Sequence, residues 1–200
     1  MKNLLILCAD PSIKVTVETL LAKRKKSLNI SDISYELKVH DDRDTGVLNE
    51  GLELTRKYRN QFHKFILIFD YDGCGSSESP EEIRERLLNQ GRSLGFSEDN
   101  LELIIINPEL EIWVWKNIIH LAKMVGWTES QLRDWLKSNY GIENKKPEKP
   151  QAVYRKLLWH RQKPKSADNF RYLAEKISLR NCQEQGFKLF SETLRKWFPK

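Results

Sequence analysis

The sequence predicts an α/β protein: a mostly parallel sheet flanked by helices, followed by a basic, all-helical C-terminal part. Three observations predict it. Short, largely apolar runs at 3–8, 65–69 and 101–106, broken only by Asn3 and Glu102, alternate with longer stretches of helical spacing, as buried parallel strands and their crossover helices do. No strand-like run follows Trp115. Charge also divides along the chain. Residues 1–143 carry 19 basic and 23 acidic side chains, net −4, whereas residues 144–200 carry 15 and 5, net +10. These features divide the chain into an α/β domain over 1–115 and a helical, basic region over 116–200 packed on it.

Each element has its own signal. Residues 3–8, apolar after Asn3, form a buried strand. Ile13 to Lys26 has apolar residues at helical spacing and ends in the basic run Lys23-Arg24-Lys25-Lys26. Residues 33–39 alternate and predict a second strand. His40 to Gly46 is a polar loop, and a helix runs from about Leu48 to Gln61. After the strand at 65–69 comes the loop Asp70 to Ser77. Ser79-Pro80-Glu81-Glu82 then opens a helix, with Ser as N-cap, Pro in the first turn and acids beside the helix dipole. The strand at 101–106 is the last. Helices are expected at 128–139, 151–160, 167–177 and 183–197, with a linker at 145–150.

Composition narrows the classes. About 40% of the 200 residues are hydrophobic, enough to build a core rather than a disordered chain. No apolar run reaches the roughly 18 residues that span a bilayer, so no membrane role is expected. Cys8, Cys74 and Cys182 are odd in number and far apart. They predict reduced thiols in the cytoplasm, with no paired-cysteine zinc site. The +10 segment attracts polyanions. It also interleaves eight rings, at Tyr154, Trp159, Phe170, Tyr172, Phe187, Phe190, Trp197 and Phe198. Cations for phosphates with flat rings for bases make a nucleic-acid pattern; rings of a helical core would give the same letters.

Chemistry is expected where strands end. In open parallel sheets, ligands bind beyond the carboxyl ends of the strands. The first strand runs into Ala9-Asp10, the third into Asp70-Tyr71-Asp72, and the last into Asn107-Pro108-Glu109-Leu110-Glu111. Asp70 and Asp72 are two apart and project to one side of an extended chain. Neighbouring carboxylates in a partly dry cleft either share a proton or hold a hard cation. Mg²⁺ or Mn²⁺ suits them, with oxygen ligands and substrate phosphate completing the shell. The candidate catalytic residues are Asp10, Asp70, Asp72 and Glu111, with Asp70, Asp72 and Glu111 as metal ligands. Arg43, Lys163, Lys165 and Arg171 are candidate nucleic-acid contacts. The competing readings are helix capping for Asp10 and a first-turn acid for Glu111. For His40 and Arg43 the alternative is a solvated turn.

Several of these motifs resemble a known family. Phe65 to Gly73, an apolar strand ending Asp-Tyr-Asp-Gly, is similar to the Toprim Asp-x-Asp segment. Asn107-Pro108-Glu109-Leu110-Glu111-Ile112-Trp113 resembles the Asn-Pro-x-x-Glu-x-Trp motif of the RloB-like group of bacterial defence proteins. His40 to Gly46, Phe69 to Gly75, Pro108 to Trp115 and Trp197 to Pro199 resemble stretches of the small Toprim-like component of methylation-associated anti-phage defence systems. The resemblance covers nearly the whole chain. It implies a Toprim-like fold and a Mg²⁺-dependent nuclease acting on DNA or RNA. It also implies partner proteins of a defence system; apart from the resemblance, a homodimer is among the states expected. One position departs from the family. Where the first strand commonly ends in Glu, this chain has Ala9. Either Asp10 substitutes, or the site lacks its first carboxylate and cuts slowly or not at all. The second outcome would make the chain a non-catalytic nucleic-acid or nucleotide-binding component. A phosphatase of the haloacid-dehalogenase kind also uses a strand ending Asp-x-Asp-Gly. It needs a later acidic pair after an apolar strand, and here Glu98-Asp99 precedes its strand.

Overall fold

The computed structural model describes residues 1–143, 145–176 and 183–200. Four strands, β1 (Lys2–Cys8), β2 (Tyr35–Val39), β3 (Phe62–Asp70) and β4 (Leu101–Ile106), form one all-parallel sheet in the order β2-β1-β3-β4. The central strands are apolar where both of their faces are covered; Leu4 to Ala9 and Phe65 to Asp70 are all buried. Cys8 pairs with Val39 on one side and Ile68 on the other, while Asp70 pairs with Ile106. The Ala9 amide donates to the Ile68 carbonyl at 3.0 Å, so the chain leaving β1 stays level with the end of β3.

Between these strands lie α1 (Pro11–Lys23) with the short α2 (Lys25–Leu28), then α3 (Arg43–Arg56), then α4 (Pro80–Ser93). The chain steps from β1 to β2 in one direction and from β2 through β3 to β4 in the other. Right-handed crossovers therefore place α1 on one face and α3 and α4 on the opposite one. Several boundaries differ from the sequence expectation: β2 starts at Tyr35 rather than 33, and α3 ends at Arg56 rather than near Gln61. The helix expected over 13–26 is two helices, because Arg24 leaves helical geometry at φ −120°. The helix expected from Leu48 begins at Arg43, inside the expected loop. β3 extends back to Phe62, since Phe62 pairs with Lys2 across the sheet although His63 and Lys64 break the apolar run.

The remaining helices are α5 (Glu111–Val114), α6 (Ile118–Met124), α7 (Glu129–Tyr140), α8 (Pro150–His160), α9 (Ala167–Lys176) and α10 (Gln185–Trp197). Ser79 caps α4 and Thr128 caps α7, each in a reciprocal box with Glu82 or Gln131. No strand follows β4 among the described residues, and none of their helices is long and apolar enough to cross a membrane. α9 packs on α1 and α10 on β4, and the buried side chains form one core from Leu4 to Phe198. The 145–150 linker is pinned, because Lys146 donates to the Ile112 carbonyl at 2.9 Å and pairs with Glu184.

Gly186 sets how closely α10 meets the sheet. A Cβ there would stand 2.8 Å from the Ile105 carbonyl oxygen, a backbone atom that cannot swing aside. Gly186→Ala is expected to destabilise the chain by about 1 kcal/mol, the overpacking cost less the gain in helix propensity. Urea titration checks this, and an unchanged or raised midpoint would contradict the close approach.

Candidate functional site

Strand order reverses between β1 and β3, whose carboxyl ends open the crevice where parallel sheets take ligands. Asp10 leaves β1 and Asp70 ends β3. Extending the register of Cys8 with Ile68 sets position 10 level with position 70. Asp10 is the N-cap of α1, its Oδ1 accepting from the Ile13 amide at 2.8 Å. Capping and site membership thus coincide in one residue. Ala9 is fully buried and brings no polar group to the crevice.

A third acid, which the sequence reading missed, is bonded to the end of β3. Asp44, in the first turn of α3, accepts the Asp70 backbone N–H on its Oδ1 at 2.8 Å. Its Oδ2 lies where a side chain on residue 73 would begin: a Cβ on Gly73 would come within 2.4 Å. Glycine at 73 is what lets the β3–α4 loop close over this carboxylate. The only sequence signal for Asp44 is the acid density of Asp41-Asp42-Arg43-Asp44 just beyond β2.

The electrostatics are those of a pocket short of positive charge. Asp70 is 7% exposed, and its Oδ1 is buried with no hydrogen-bond partner. Burial, reinforced by Asp44, Glu111 and Asp10, pushes its carboxyl well above the usual range, with the Leu110 backbone N–H opposing. Burial likewise raises Asp44, with the Asp70 N–H opposing and Asp10 adding. Glu109 is raised by burial and by Glu111 and Asp72, against the Gln151 backbone N–H of α8 and Lys165. Glu111, 1% exposed, receives the Lys165 ammonium at 2.8 Å. The basic C-terminal part therefore reaches into the acidic end of the sheet.

Comparison with protein-family models, curated proteins and solved structures finds no match. The site rests on its own chemistry.

All the nearby donors are carboxylate oxygens, and one of them is buried and unpartnered, which suits a hard cation. Asp70, Asp44 and Asp10 converge electrostatically. Among the described residues, however, no three such side chains stand close enough for one ion. Asp72 is exposed, and Glu111 is engaged by Lys165. The expected set of Asp70, Asp72 and Glu111 is thus not drawn together in this conformation. A cation would take one or two carboxylates and fill its shell with water and phosphate, as Mg²⁺ commonly does.

The candidate phosphate contacts separate. Arg43 and Lys163 are exposed, Arg171 pairs with Asp168, and Lys165 belongs to Glu111. His40 is buried, and its Nδ1 accepts the Asp42 amide at 3.1 Å, so it supports the turn into α3. Trp113 and Trp115 are both buried, Trp115 donating to the Pro150 carbonyl at 3.0 Å. The interleaved rings are mostly core. Tyr154, Phe170, Phe187, Phe190 and Phe198 are buried and Tyr172 and Trp197 partly so, whereas Trp159 is 81% exposed. Cys8 and Cys74 are buried free thiols, and Cys182 lies outside the described residues.

Proposed function

We propose that the β1/β3 crevice is a divalent-metal-dependent phosphodiesterase or nuclease site of a Toprim-like kind, acting on nucleic acid. The observation that carries the reading is the Asp70 Oδ1, buried and unpartnered amid Asp44, Asp10 and Glu111. A buried oxygen without a donor costs stability unless a ligand satisfies it. Asp70 and Asp44 are the residues that would hold Mg²⁺ or Mn²⁺. Such an ion, when bound, supplies charge to a phosphoryl oxygen and acidity to a water. Asp10 keeps a second oxygen for accepting a proton. Lys165 holds Glu111 in place and gives the pocket a fixed positive charge near an incoming phosphate. The motif resemblance sets this activity in anti-phage defence with partner proteins, and the free thiols suit a reducing cytoplasm.

Ala9 favours a second reading, in which the chain binds nucleic acid without cutting it. The two readings separate in a cleavage assay on single- and double-stranded DNA and RNA with Mg²⁺ or Mn²⁺. Slow, metal-dependent cleavage is expected from the chain as it stands. Ala9→Glu, by restoring a proton-transferring carboxylate, is expected to accelerate it about 100-fold. Asp70→Asn should abolish cleavage in both backgrounds. Binding with no turnover, even in Ala9→Glu, would establish the second reading.

A further inference from the structure

The exposed face of α8 is unlike the rest of the surface. Arg155, Lys156, Trp159 and His160 all face solvent, while Val153, Tyr154, Leu157 and Leu158 face the core. Trp159 does not stand alone. It lines a hollow of about 480 Å³ with Trp135, Asn139, Tyr140, Lys156 and His160. The rings behind it are in contact: Trp135 with Tyr140 at 5.3 Å between centroids, and with His160 at 6.0 Å. Lys156 lies over the Tyr140 ring at 6.0 Å. Lys156 lines the hollow, Arg155 and Lys163 lie four residues before and after Trp159, and Lys149 is the N-cap of α8; no described carboxylate lies within ion-pair distance of any of the four (nearby, Glu148 pairs with Lys145 at 3.6 Å).

Protein contact cores take Trp and Arg but are depleted in Lys, and three of the four unpaired cations along this helix are lysines. The face matches a polyanion that carries flat apolar groups. In a duplex those groups are already stacked on each other; in a single strand they are free to stack on a ring.

We propose that this face binds single-stranded nucleic acid, with Trp159 stacking on an unpaired base and Lys149, Arg155, Lys156 and Lys163 contacting phosphates. The position along the helix suits the acidic crevice. The first turn of α8 meets Glu109 through the Gln151 N–H, and Trp159 lies about 12 Å further along the axis at 1.5 Å per residue. A strand held at Trp159 can reach the pocket with a phosphate a few nucleotides away. This deepens the proposed function and rests on it for the identity of the reaction, though not for binding.

The test uses the full chain and a fluorescent oligothymidylate, in chelator so that nothing is cut, with a duplex of equal length beside it. The single strand is expected to bind more tightly than the duplex and to quench tryptophan emission. Trp159→Ala should weaken single-strand binding about 10-fold and remove most of the quenching, while Trp159→Phe should retain binding. Lys156→Ala and Lys163→Ala should each lower the salt dependence by about one counterion. Equal affinity of Trp159→Ala and the parent chain would overturn the proposal, as would a preference for duplex. So would a Trp159→Ala change confined to self-association. If the single strand binds as expected in chelator, and neither the parent chain nor Ala9→Glu cuts it once Mn²⁺ is supplied, the nuclease reading fails while the platform stands.

Discussion

Asp70→Asn is expected to remove the response of the chain to metal and to stabilise the metal-free chain at alkaline pH. Without metal, the advantage of the variant over the parent in melting temperature should be larger at pH 8 than at pH 4. The sign follows from the direction of the shift. Burial and Asp44 raise the folded-state value of Asp70 above its unfolded one. The stability it contributes is therefore complete below the ordinary carboxylate value near 3.9 and is lost as pH rises through the raised folded value. Above that, the folded chain holds a buried, unpaired charge beside Asp44, which is raised in the same direction. Asparagine is neutral at every pH and sets an N–H donor among acceptors. Each kcal/mol recovered should appear as about 2–4 °C in the melting temperature. With Mn²⁺ at about a hundred times its dissociation constant, the parent should gain about 2.7 kcal/mol, and the variant should lose that gain. Thermal unfolding at two pH values, in chelator and in Mn²⁺, gives all the comparisons. A variant less stable than the parent at pH 8 in chelator, or a parent indifferent to Mn²⁺, would remove the basis for a cation at Asp70.

The sequence revealed what local chemistry dictates and concealed what distant segments impose. β4 coincides with its apolar run because Asn100 and Asn107-Pro108 bound it on both sides. The start of α4 was legible in Ser79, Pro80 and Glu82, which make the cap among themselves. α3 begins early for a tertiary reason: Asp44 takes the Asp70 N–H, and the Thr45 hydroxyl reaches the Gly73 carbonyl at 3.4 Å. Those contacts fix a turn whose polar letters indicate a loop. The same cause hid Asp44 from the site, since a search of strand ends does not look in the first turn of a helix. Lys165 was legible as a cation, but its partner Glu111 lies 54 residues away. The rings of the basic segment show a related limit. Composition lists Tyr154 and Trp159 alike, yet helical spacing separates them: Trp159 shares a face with Arg155 and Lys156, and Tyr154 one with Leu157 and Leu158.

Removing Lys165 should destabilise the chain through Glu111. Glu111 is almost wholly buried, and the Lys165 ammonium at 2.8 Å is its one side-chain partner among the described residues. Stripping one member from a fully buried pair costs roughly 3–5 kcal/mol. The Lys165 side chain is 32% exposed, so water already screens part of the attraction, and about 2 kcal/mol is the expected loss for Lys165→Met. The methionine keeps the apolar stem that lies near Phe170. Lys165→Met with Glu111→Gln should recover most of the loss, because the charge left stranded is then gone; the coupling emerges from a double-variant cycle. Mn²⁺ adds a second arm. Lys165 and a divalent ion both neutralise Glu111, so Lys165→Met should gain more stability from Mn²⁺ than the parent does. Additive losses in the cycle would mean that Lys165 supports the fold by packing alone. An equal Mn²⁺ gain in both chains would mean that Glu111 stands outside the cation's reach. A coupled cycle with the larger gain would make Lys165 of the basic segment the resident counter-charge of an acidic pocket within the cation's reach.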